Sequence, residues 1–134
     1  MIHKEILKKW IGKKVYETPE LGYQCVAWAK KYCEEKWTPI GYFSWSAEMG
    51  WQTWSPFSHK WRRVWYNWFN SPSEGDVIFW SKARCKDGHV AIAGKFCYPF
   101  LFRYTDQNGT GKEDVIQPRW ESPKNVTGWY KYIG

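Results

Sequence analysis

Three kinds of side chain in this 134-residue chain can break an acyl bond together: the thiol of Cys25, the imidazole of His89, and a carboxylate or carboxamide from Asp106 or Asn108. A thiol attacks an acyl carbon once its proton is gone. An imidazole can take that proton and later return it to the leaving group, and an acceptor behind the imidazole holds the ring in place. Cys25 stands in Gly22-Tyr23-Gln24-Cys25-Val26-Ala27-Trp28-Ala29, which reads as a loop running into a helix with the thiol in its first turn. Unpaired backbone N–H groups and the positive end of the helix dipole favour the thiolate there. Val26, Ala29, Cys33 and Trp37 form one apolar stripe at helical spacing, and Cys25 lies off it, beside Trp28, Ala29 and Tyr32. The competing reading of Cys25 is a buried structural cysteine.

His89 follows Gly88 at the start of an apolar run, Val90-Ala91-Ile92-Ala93, that reads as a strand. Asp106-Gln107-Asn108 closes the next strand-like run, Leu101 to Asp106. Residues two apart on a strand share a face, so Asp106 and Asn108 can both turn toward His89 while Gln107 turns away.

The remaining elements follow from periodicity and punctuation. Residues 3–11 form a short basic helix, with Ile2, Ile6, Leu7, Trp10 and Ile11 on one side, Lys4, Lys8 and Lys9 in water, and Gly12 closing it. Thr18-Pro19 is a helix-start signal. Residues 40–72 are crowded with rings, and short helices are expected near 47–49 and 59–69. So many rings exceed one small core. Tyr42, Trp45, Trp51 and Trp54 are candidates to line a groove, and an aromatic cover over the core is the alternative. Val77-Ile78-Phe79-Trp80 reads as a buried strand. Lys95 to Tyr98 is expected to continue the sheet to a bend at Pro99, Val115-Ile116 is read as a strand, and Trp129 to Ile133 as a closing strand. Helices first and strands afterwards give one α+β domain over residues 1–134, with the helices packed on one side of a small antiparallel sheet or half-barrel.

Composition narrows the classes. Hydrophobic residues make up 43% and aromatics 21%, with 12 Trp, which argues against disorder. Neither a run of 18 apolar residues nor a signal peptide is present. Net charge is +7 and the pI about 9.2, which attracts nucleic acid, anionic lipid or phosphate-rich polymers without choosing among them. Basic and aromatic residues interleave in His59-Lys60-Trp61-Arg62-Arg63-Val64-Trp65-Tyr66, as in proteins that bind single-stranded nucleic acid. Cys25 and Cys33 lie about 12 Å apart along one helix, too far to bridge. Cys85 and Cys97 can reach each other, with reduced thiols the default.

Gln24-Cys25-Val26-Ala27, Gly75-Asp76-Val77-Ile78-Phe79-Trp80, Gly88-His89-Val90-Ala91-Ile92 and Asp106-Gln107-Asn108 together resemble the signature blocks of the CHAP family. These are the cysteine- and histidine-dependent amidohydrolase/peptidase domains of bacteriophage endolysins and other cell-wall hydrolases. The resemblance covers roughly residues 20–134 and implies a papain-like fold. It also implies Cys25 as nucleophile, His89 as general base and Asp106 or Asn108 as the group orienting the ring. Gln24 would border an oxyanion hole with the Cys25 N–H. The implied substrate is peptidoglycan, cut at the muramoyl–alanine amide or within the stem or cross-bridge, with anionic wall polymers as possible secondary partners. A non-catalytic wall-binding module of the same family and a nucleic-acid-binding protein are the alternatives.

Calcium-binding members of the family carry several Asp residues before Gln-Cys. Here Glu17 and Glu20 alone precede it and Ala27 follows, so neither calcium nor any other cofactor is expected. A monomer without stable membrane insertion, made in a bacterial cytoplasm and acting at the wall after release, completes the expectation.

Overall fold

The computed structural model describes residues 2–15, 25–38, 60–84, 88–108 and 114–133. Its elements are α1 (His3–Trp10), α2 (Cys25–Glu35), β1 (Trp61–Trp65), β2 (Val77–Trp80), β3 (His89–Ala93), β4 (Phe102–Asp106), β5 (Gln117–Glu121) and β6 (Val126–Tyr132). The six strands make one sheet in the order β1-β6-β2-β3-β4-β5, with every neighbouring pair antiparallel. The architecture is α+β, as the order of apolar periodicities anticipates.

Good helix formers (Ala27, Ala29, Lys30, Lys31, Glu34, Glu35) carry α2. Its apolar side packs on one face of the sheet with Val77 and Phe79 of β2, Val90 and Ile92 of β3 and Tyr130 of β6. Strand alternation turns Ile78, Trp80, Ala91, Ala93, Tyr104 and Trp129 to the other face, where they form a second cluster with Phe102, Val126 and part of Val64 and Tyr66. Trp37 departs from the expected stripe. It adopts φ +63° and is 81% exposed, because the helix ends in a Schellman turn with Thr38 N–H on the Cys33 carbonyl at 2.8 Å and Trp37 N–H on Glu34 at 3.2 Å. The buried stripe therefore stops at Cys33.

The first helix ends at Trp10, one residue earlier than expected, and Gly12 (φ +88°) turns the chain. Lys9 Nζ donates to Glu35 Oε1 at 2.9 Å and Trp10 Nε1 to the same oxygen at 3.3 Å, which ties α1 to α2. The segment after α1 then takes Ile116 as a partner: Gly12 N–H donates to the Ile116 carbonyl and Ile116 N–H to that of Lys13, both at 2.8 Å. For this reason the expected strand at 115–116 begins instead at Gln117. It includes Pro118, which is tolerated because β5 is an edge strand.

Three further expectations are corrected. Residues 61–65 form a strand, since all five pair in register with β6 from Tyr132 back to Gly128. Trp61 is buried against Tyr130 and Tyr132, so long-range pairing overrides the helical spacing of Trp61, Trp65 and Trp68. Residues 95–98 do not extend the sheet; a single bridge joins Tyr98 to Leu101. The final strand starts at Val126 and lies inside the sheet, between β1 and β2. Cys25, Cys33 and Cys97 are free thiols, which removes the Cys85–Cys97 bridge. The short helix expected near 47–49 falls outside the described residues.

Candidate active site

Gly88, at φ +74°, turns the chain into β3 so that His89 is its first residue, opposite Trp80 of β2. Asp106 is the last residue of β4. The register pairs Ile92 with Thr105 and Ala93 with Tyr104. Alternation therefore places His89, Ala91 and Ala93 on the same face as Tyr104 and Asp106. His89 Nε2 donates to Asp106 Oδ2 at 2.8 Å, and its ring lies 5.4 Å from that of Trp80. Both members of the pair are buried.

A second donor reaches Asp106 from the neighbouring strand. Arg119 Nε donates to Oδ1 at 2.9 Å, while Arg119 Nη2 stands 3.6 Å from Asp114 Oδ2. With each carboxylate oxygen held by a separate charged or polar donor, Asp106 cannot swing away from the imidazole. Its hold on Nε2–H leaves Nδ1 as the nitrogen with a free lone pair. The adjoining Cys25 thiol acts on the same ring and favours its charged form. One buried ring thus feels both a thiol and a carboxylate, and a guanidinium steadies the carboxylate.

The thiol is placed by its helix. Trp28, one turn further along α2, donates its indole N–H to the carbonyl and hydroxyl of Thr105 at 3.2 and 3.3 Å. That anchor ties the first turn of α2 to β4 one residue before Asp106. Cys25 remains half-buried, while Cys33, two turns on, is fully buried and its thiol is pushed up to about 12. Burial opposes charge on the His89 ring as well. The hydrogen bond to Asp106 and the adjoining Cys25 thiol outweigh it and raise the imidazole above its ordinary value.

Asn108 does not share this cluster by strand alternation. The strand ends at Asp106, and Asn108 adopts φ +63°, where its Oδ1 accepts Asp114 N–H at 2.7 Å. Gln107 is buried and pairs with Val15 backbone in both directions, accepting at 2.6 Å and donating at 3.0 Å. Asp76, in the second sequence block, accepts Ser73 N–H at 2.7 Å. Its backbone pairs with Ala93, at the far end of β3 from His89. Gln24, Tyr42, Trp45, Trp51 and Trp54, like Glu17 and Glu20, lie outside the described residues. Arg119 and the Trp28 anchor went unread in the sequence. Arg119 has no local signal: only the pairing of Asp106 with Gln117 and Tyr104 with Arg119 brings it to the site.

This sheet-and-helix framework is one that solved endolysins share. The chain superposes on the crystal structure of a wild type endolysin, LysIME-EF1, with a TM-score of 0.78 at 18% identity, over 98% of this chain and 62% of that one. It also superposes on Ly7917, with a TM-score of 0.67 at 15% identity and the same shares of the two chains. A third match is Ly7917 with the hydrolyzing product of MDP, with a TM-score of 0.61 at 16% identity, over 100% of this chain and 64% of that one. The chain thus spans under two thirds of the length of these proteins, and at such identities the likeness is one of fold. No family model and no curated protein matches the chain.

Proposed function

We propose that this chain is a peptidoglycan hydrolase of the CHAP type, cutting an amide by a thiol mechanism with Cys25 as nucleophile, His89 as base and Asp106 as the group that orients it. The observation that carries the reading is the buried His89 ring, hydrogen-bonded to Asp106 and acted on by the adjoining Cys25 thiol, which favours its charged form. The shared fold of solved endolysins supports peptidoglycan as the substrate, and one of these holds a product of MDP, a peptidoglycan fragment.

In the first half-reaction, Cys25 Sγ attacks the amide carbon as His89 Nδ1 takes the thiol proton. The tetrahedral oxyanion faces the Cys25 backbone N–H, at a helix start where N–H groups have no partner within the helix. The C–N bond then breaks, His89 protonates the departing amine, and a thioester remains. Water attacks the thioester as His89 takes its proton; the C–S bond breaks and the proton returns to sulfur. Asp106 holds the ring through both steps and Arg119 holds Asp106. The bond cut is the muramoyl–alanine amide or a peptide bond of the stem or cross-bridge.

The test is turbidity loss of purified bacterial walls, with mass spectrometry of the released fragments to name the bond. Wild-type protein clears the walls and releases new amine and carboxyl ends, while Cys25→Ala does neither. A fully active Cys25→Ala protein ends the thiol reading.

A further inference from the structure

A cavity of about 640 Å3 opens between α1, the turn after β3 and the β4–β5 pair. Arg103, Thr105, Pro118 and Trp120 face it in register, Arg103 opposite Trp120 and Thr105 opposite Pro118. Tyr104 and Arg119 alternate with those positions yet also border the cavity, whereas neither His89 nor Asp106 lines it. Its apolar lining includes Leu7, Leu101 and Pro118, and beside His3 the charged lining residues among those described are cationic: Lys4, Lys95, Arg103 and Arg119.

The mouth is unusual in what it exposes. Among the lining residues Trp120 is 72% exposed and Phe96 67%, and Phe100, next in the chain to the lining residue Leu101, is 73% exposed. Phe96 is held at φ +61°, a conformation that a bulky residue rarely adopts, and its ring stands largely in water. Phe100 is stacked on Tyr98 at 5.7 Å, planes 13° apart, so the turn presents a fixed aromatic edge. Lys95 lies 3.9 Å from Glu74 and keeps most of its side chain in water.

We propose that this face docks on an anionic lipid surface, with Phe96, Phe100 and Trp120 at headgroup depth and Lys4, Lys95 and Arg103 on the phosphates. Exposed rings beside cations are the chemistry of a membrane interface. The +7 net charge draws the chain toward such a surface. A sugar site would set carboxylates or amides beside its stacking ring to bind hydroxyls, and among the described residues the lining contains no Asp, Glu, Asn or Gln. A nucleic acid would use the rings and cations but has no use for a hydrocarbon cavity. Among the described residues no helix is long and apolar enough to cross a bilayer, so the contact is peripheral. The proposal does not depend on the hydrolase reading.

The experiment is co-sedimentation of the full chain with vesicles of phosphatidylglycerol and phosphatidylcholine in equal parts, and with pure phosphatidylcholine. Binding is expected to the anionic vesicles and to fall as salt rises. Removing two interfacial charges in Lys95→Gln/Arg103→Gln is expected to weaken it about thirtyfold, and Trp120→Ala to weaken it further. Should Trp120→Ala fail to fold, the charge pair, whose side chains stand in water, still decides. Equal binding to neutral vesicles, no binding, or binding untouched by these changes overturns the proposal. So does an oligonucleotide or a soluble glycan that depends on these residues while vesicles are ignored. Clearing of membrane-free walls by Lys95→Gln/Arg103→Gln is expected to match wild type, and Cys25→Ala to bind vesicles normally. A chain that binds vesicles yet leaves walls intact therefore refutes the hydrolase reading alone.

Discussion

Two buried histidines in this small domain are set in opposite directions. His3 at the start of α1 is 8% exposed and His89 at the start of β3 is 2% exposed. Both have one close polar partner: His3 Nδ1 meets the Tyr32 hydroxyl at 2.7 Å, and His89 Nε2 meets Asp106 at 2.8 Å. Burial holds His3 below its ordinary pKa, with Glu74 offsetting only part of the effect. At His89 burial acts in the same direction, yet the carboxylate and the thiol overcome it. A hydroxyl satisfies a hydrogen bond without favouring the charged ring, while a carboxylate does both. Only the second environment can hold a proton in transit, which is what acid–base work at a thiol requires.

The largest test of that contrast is to remove each ring. If His89 is the base, His89→Ala lowers wall clearing by about 10³-fold or more, whereas His3→Gln leaves the rate within about threefold. Initial rates of turbidity loss, with circular dichroism to confirm folding, measure both. Comparable losses from the two variants would mean that the contrast is structural only.

Asp106→Asn keeps the shape and removes the charge. The expected loss is roughly 10²- to 10⁴-fold in kcat/KM. The acid limb of the pH profile, below which His89 is already protonated and cannot take the thiol proton, should also move to lower pH. The sign follows from the causes: the hydrogen bond that raises the imidazole is weakened and burial, which lowers it, stays. An acid limb that stays in place would remove Asp106 from its positioning role.

Arg119→Gln is the milder form of the same change. Asp106 keeps His89 but loses the 2.9 Å donor on its other oxygen. About a tenfold loss is expected, mostly in kcat, with Arg119→Lys recovering part of it. A change in KM alone would place Arg119 on the substrate instead.

Much of this arrangement was legible because its parts are local. A helix stripe at 26, 29 and 33 locates Cys25 by exclusion, and an apolar run after Gly88 locates His89. The choice between Asp106 and Asn108 was not legible, since it depends on where β4 stops, and Asn108 at φ +63° has already left the strand. The edge strand at 61–65 was misread for a related reason. Its ring spacing is helical, and only pairing with β6, some 65 residues away along the chain, makes it extended. Arg119 is an ordinary strand residue until the register with Tyr104 is known. Local periodicity carries elements; the contacts that tune a site come from register, which no short window contains.

The smallest expected effect belongs to the other histidine and appears in stability, not rate. Tyr32→Phe removes the partner of a buried ring nitrogen and is expected to cost about 1–3 kcal/mol with wall clearing unchanged. The pH dependence separates the two rings further. His3 is held neutral in the folded chain, so its contribution is complete above the unfolded value of 6.5 and is lost as pH falls below it, where the unfolded chain takes up a proton that the folded one resists. His89 runs the other way: its contribution is complete below 6.5 and is lost as pH rises through its raised folded value. His3→Gln removes the contribution that favours the higher pH, so its urea midpoint at pH 7.5 minus that at pH 5 should be lower than in wild type. A signed difference that stays or rises would show that the His3 ring is charged in the folded protein, and the opposition between the two sites would collapse.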